Sequence, residues 1–108
     1  MPEFAPATLF PRRVRVSQGV SEGMLLSKSV PSYPPEARKA HIQGSVVMQA
    51  IINTQGGIDN LRLVSGPPEL SAAAMDAVRR WRYKPYLLMG RPVDVETMIT
   101  VNFTLWPQ

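Results

Sequence analysis

From residue 93 to the end of the chain, Val93, Val95, Ile99, Val101, Phe103 and Leu105 fall at alternate positions, with Asp94, Glu96, Thr100, Asn102 and Thr104 between them. Side chains along a strand point to opposite faces in turn. A period of two therefore makes one strand with an apolar face to bury and a polar face for water. A single strand cannot cover its own apolar face, so the remaining residues must supply sheet neighbours and a packing layer.

The layer is legible in Leu70, Ala73, Ala74, Ala77, Val78 and Trp81, which recur at helical spacing after Gly66-Pro67-Pro68. This spacing predicts a helix with one apolar stripe, whose central alanines let it lie close to a sheet. Pro85 and Gly90 bound the connection that follows. The sheet neighbours come from Gly44 onward, where Val46, Met48, Ala50 and Ile52 share one face. Thr54-Gln55-Gly56-Gly57 then supplies a hairpin turn into residues 58–65. Leu61 and Leu63 have a parity that Ile58 lacks, which predicts a bulge near Asp59-Asn60.

Upstream, Val30-Pro31-Ser32-Tyr33-Pro34-Pro35-Glu36 joins an extended stretch to a helix start, and that helix is expected to run to about Ala40. Residues 12–16 alternate basic and apolar side chains and suit a short edge strand. Residues 1–11 have no periodicity and read as a flexible lead-in or linker remnant. The expected fold is α+β, a single domain over residues 12–108. It has a mainly antiparallel sheet of about three strands, two helices on one face, and an extra short N-terminal edge strand.

Composition narrows the function. A chain of 108 residues with 44% hydrophobic and 19% charged residues is globular and fits one core. Cysteine is absent, which excludes disulfides and thiolate chemistry, and no apolar run approaches the roughly 20 residues of a membrane span. His41 is the sole histidine, so no metal site is expected. No nucleophile, base and orienting group share a recognisable spacing, and the expectation is a binding domain without catalytic residues or cofactor. The net charge of +4 raises nucleic acid, anionic lipid and an acidic protein surface as partner classes without choosing among them, and Arg79, Arg80, Arg82 and Lys84 are the candidate electrostatic contacts. The same cations also suit the negative end of a helix dipole, and nucleic acid is not expected. Tyr33 with Pro34 admits two roles, contact with a partner and stapling of the helix start to the core. Trp81, last in its stripe, belongs in the core.

The order Tyr33-Pro34-Pro35-Glu36-Ala37-Arg38, Gly44-Ser45-Val46, Gly56-Gly57-Ile58, Leu63-Val64-Ser65-Gly66, Ala77-Val78-Arg79-Arg80-Trp81-Arg82-Tyr83-Lys84-Pro85 and Val101-Asn102-Phe103 resembles the TonB C-terminal domain family. The resemblance implies a periplasmic domain of an energy transducer. An N-terminal anchor outside these residues would tether it to the inner membrane and to proton-driven motor proteins. The implied partner is the N-terminal peptide of an outer-membrane transporter, added to the sheet as a strand. The implied contacts are Val30, Pro31, Ser32, Tyr33 and Pro34, with Glu96, Met98, Thr100, Asn102 and Thr104 on a receiving edge over residues 95–105. Residues 12–16 either extend the sheet or cover that edge. The competing reading is a structural interaction domain that pairs through the same edge into a homodimer.

Overall fold

The computed structural model describes residues 13–105. Its centre is the pairing of β3 (Gly44–Ile52) with β7 (Arg91–Phe103), antiparallel from Gly44 opposite Phe103 to Ile52 opposite Val95. The hairpin to β4 (Ile58–Ser65) continues the sheet, with register shifts on either side of Met48 and Gln49. The expected irregularity at Asp59-Asn60 is present, and Asn60 there adopts a φ of 42°. Asn53 Oδ1 accepts the N–H groups of Gln55 and Gly57, which fixes the turn.

β1 (Arg13–Arg15) lies parallel to β7 on its other side, and β6 (Tyr86–Leu88) forms a hairpin with the start of β7. The sheet therefore has five strands rather than about three, in the order β1-β7-β3-β4 with β6 against β7. A second, two-stranded sheet pairs β2 (Leu25–Ser27) with β5 (Arg82–Tyr83). The helices also exceed the expected two: α1 (Gln18–Glu22), α2 (Pro35–Lys39) and α3 (Pro68–Arg79). The lead-in over residues 1–11 lies outside the described residues.

One face of the sheet is dry. Val46, Met48, Ala50, Ile52 and Val95 are fully buried there, against Leu70, Ala74, Ala77 and Val78 of α3 and Ala37 of α2. α3 starts where expected, with Pro68 in its first turn and the Ser71 hydroxyl donating to Pro67 O at 2.9 Å. It ends at Arg79, before Trp81, whose ring is buried beyond the helix and whose Nε1–H donates to Ser29 O at 2.9 Å. Thr97 occupies an inward position among apolar neighbours and is 2% exposed. Its hydroxyl donates to Ser17 O at 3.4 Å and is hydrogen-bonded to Ser21 Oγ at 3.0 Å, so α1 satisfies the one polar side chain of the stripe.

Two turns need special backbone conformations. Gly56 has a φ of 86°, and a Cβ there would lie 1.9 Å from Tyr83 O, because Tyr83 N–H donates to Gly56 O at 2.8 Å and draws β5 onto the turn. The β6–β7 turn places Met89 at a φ of 53° and Gly90 at 79°. These are the positive values of a two-residue hairpin turn that Asn-Gly normally supplies, so Met89 is strained by about 1 kcal/mol.

Candidate partner-binding edge

Alternate residues of a strand direct their main-chain groups to the same edge. Val16 N–H donates to Glu96 O at 3.0 Å, on the side of β7 away from β3. The N–H and C=O groups of Met98, Thr100 and Asn102 therefore face that side too. β1 pairs with β7 only from Asp94 to Glu96, and no described strand pairs with the edge beyond Glu96. The N-terminal strand thus covers the first part of the expected receiving edge and leaves the rest.

What lies beside residues 98–102 is a groove of about 400 Å³. β7 forms one wall; Leu25, Lys28, Trp81 and Tyr83 form the other; Gln18, Ser21 and Glu22 of α1 close one end. The far wall is held by the β2–β5 pairing, by Lys84 N–H donating to Met24 O at 2.8 Å, and by the Lys28 ammonium 5.6 Å from the Trp81 ring centre. Burial, and after it the nearby Glu22 carboxylate, pushes the Tyr83 phenol up to about 12. α1 also reaches over the edge itself: the Thr100 hydroxyl donates to Gln18 Oε1 at 3.1 Å, and Gln18 Nε2 donates to Glu22 at 3.0 Å.

The expected site residues separate in three ways. Met98, Thr100 and Asn102 stand on the open edge beside the groove. Glu96 is engaged within the domain: Arg15 binds its carboxylate at 3.2 Å, Arg13 approaches at 3.9 Å, and Gln49 donates to it. Thr104 lies past the last residue of β7, where Leu105 N–H donates to Gln43 Oε1 at 2.7 Å. Among residues 30–34, Val30 is 80% exposed. Tyr33 turns inward, its ring edge on Phe103 at 5.4 Å, its hydroxyl donating to Ile42 O and the Arg38 guanidinium over its face. This is the stapling role, with Pro34 capping α2.

The cations after α3 bind locally. Arg79 pairs with Asp76 at 3.5 Å, Arg80 donates to Ser29 Oγ at 3.4 Å, and Arg82 donates to the carbonyls of Trp81 and Arg79. One of these contacts satisfies the carbonyl of Arg79, the last residue of the helix, as its dipole favours. The sequence reading missed Gln18, Ser21, Glu22, Leu25 and Lys28; the Ser17 side chain that accepts Val20 N–H was the available signal for α1.

The profile of the family described as Gram-negative bacterial TonB protein C-terminal matches residues 29–105. The chain belongs to this family. Protein TonB of Vibrio cholerae is 34% identical over 89 residues, covering 80% of this chain and 36% of that protein. Protein TonB of Escherichia coli K12 is 31% identical over 84 residues, covering 73% and 34%. The chain thus spans about a third of the length of these curated TonB relatives. The solution structure of the Pseudomonas aeruginosa TonB C-terminal domain shares the fold with a TM-score of 0.64 at 23% identity, covering 78% of this chain and 87% of that one. TonB2 of Vibrio anguillarum superposes with a TM-score of 0.59 at 26% identity, covering 78% and 82%. α1 and β2, which line the groove, and β1 beside residues 94–96 all precede the residues matched by the TonB profile.

Proposed function

We propose that this domain is the periplasmic docking unit of a TonB-type energy transducer and binds the N-terminal peptide of an outer-membrane transporter as an added strand on β7. The observation that carries the reading is the edge at Met98, Thr100 and Asn102 that no described strand pairs with, whose main-chain donors and acceptors face a groove of about 400 Å³. Main-chain hydrogen bonds there supply affinity, and alternate peptide side chains meet Leu25, Lys28 and Trp81 on the far wall, which supplies selectivity. Energy reaches the docked transporter through an anchored segment of the longer protein and its motor partners.

Thr100→Pro tests this. Its N–H points away from β3, so proline removes an edge donor and leaves the β3 ladder intact. By calorimetry with synthetic transporter N-terminal peptides, affinity falls at least about tenfold, as expected when one edge hydrogen bond is lost and a ring is placed in the path. Unchanged affinity in a folded Thr100→Pro variant contradicts strand addition at this edge. A concentration-dependent dimer that Thr100→Pro dissolves, with no peptide bound by the wild type, favours self-pairing through the edge instead.

A further inference from the structure

The β6–β7 hairpin carries features that peptide docking does not use. β7 pairs with β3 only from Val95 onward, so Arg91 to Asp94 and β6 run on past the end of β3 by about four residues, or roughly 13 Å. Leu87, opposite Pro92 in the register, is 58% exposed, and Met89 at the tip is 82% exposed. The turn holds Met89 in the left-handed region, where asparagine or glycine would be unstrained, so a large apolar side chain is presented to solvent at a conformational cost.

The hairpin and its flanks carry charge of one sign: from Tyr83 to Val93 the chain has Lys84 and Arg91 and no acid. Asp94, the first acid after the hairpin, stands opposite Arg13 in the register. An exposed apolar tip flanked by cations is the arrangement by which a surface element enters the headgroup region of an anionic bilayer, the apolar side chains inserting and the cations meeting phosphate.

We propose that the hairpin is a membrane-contact element that rests the domain on an anionic phospholipid surface through Leu87 and Met89, with Lys84 on the phosphates. The test is co-sedimentation of the 108-residue chain with vesicles of phosphatidylcholine alone and of equimolar phosphatidylcholine and phosphatidylglycerol. Wild type partitions onto the mixed vesicles, weakly onto the neutral ones, and less as salt rises. Half-depth burial contributes roughly fivefold per side chain, so Leu87→Thr/Met89→Asn lowers partition about 25-fold. Lys84→Gln lowers it about fivefold.

Met89→Asn alone relieves the turn, so its melting temperature rises while its partition falls, which separates lipid contact from misfolding. Equal partition of wild type and the double variant overturns the proposal, as does absence of wild type from the mixed-vesicle pellet. Loss of transporter-peptide affinity in the double variant, with vesicle binding unchanged, assigns the tip to a protein partner and also overturns it.

Discussion

Gly56→Ala is the substitution for which the structure gives the sharpest number. The added Cβ would lie 1.9 Å from Tyr83 O, and the backbone there has a φ of 86°. Holding alanine at positive φ costs about 1–2 kcal/mol. Relieving the clash must move β5 away from the turn and break the bond from Tyr83 N–H to Gly56 O, which adds about 1–3 kcal/mol for a buried donor left unpaired. The sum is about 2–5 kcal/mol, a large part of the stability of a small domain. Gly90→Ala is the internal control: its φ is 79°, yet nothing lies within 4 Å of the added carbon. It should lose only the conformational part, about 1–2 kcal/mol. Urea unfolding followed by tryptophan fluorescence reads both, because buried Trp81 adjoins β5, and the midpoints should separate with little change in slope. If the two variants agree within about 0.5 kcal/mol, the contact between the turn and β5 is not what requires glycine at position 56.

Three further outcomes follow from the same geometry. Tyr83 titrates near 12 in the folded domain and near 10 when unfolded, so its contribution is intact below pH 10. Stability should fall by about 2–3 kcal/mol between pH 10 and 12, and Tyr83→Phe should remove that part of the decline in alkaline melts. Trp81→Phe loses the bond to Ser29 O and the stacked Lys28, and calorimetric unfolding should show a cost of about 2 kcal/mol. Thr97→Val should cost about 1 kcal/mol and speed amide exchange across α1, because it unties Ser17 and Ser21 from β7.

The parts of the fold that announce themselves in the sequence are those whose pattern spans many residues. The alternation of β3 and β7 and the stripe of α3 each repeat a burial requirement several times, so no single exception hides them. Thr97 breaks the apolar run of β7 and carried no meaning until α1 brought Ser21 beside it. α1 itself has Gly19 and Val20 in its first turn, both poor helix formers, and only the Ser17 cap favours it. β6 was hidden because its turn is made by Met89-Gly90, which lacks the Asn-Gly signal, and because Leu87 and Leu88 allow either face to be buried. β2 and β5 are set by tertiary contact, three and two residues long, too short for any period.

For the proposed site, the strand that carries the candidate edge was legible, and the extent of that edge left without a strand partner was not. A parallel pairing of β1 with residues 94–96 joins segments about 80 positions apart, and neither segment encodes its register locally. Tyr33 shows the same limit. Its inward turn depends on Phe103 of β7, Arg38 of α2 and Ile42 of the connection after α2 meeting around it.

Amide hydrogen exchange of β7, residue by residue, with and without a transporter N-terminal peptide, tests strand addition most directly. The account predicts that Met98, Thr100 and Asn102 exchange fast in the free domain and slow at least about tenfold on binding, while Ile99 and Val101, already bonded to β3, stay slow throughout. Protection of all five amides in the free domain, or binding that leaves Met98, Thr100 and Asn102 fast, contradicts it.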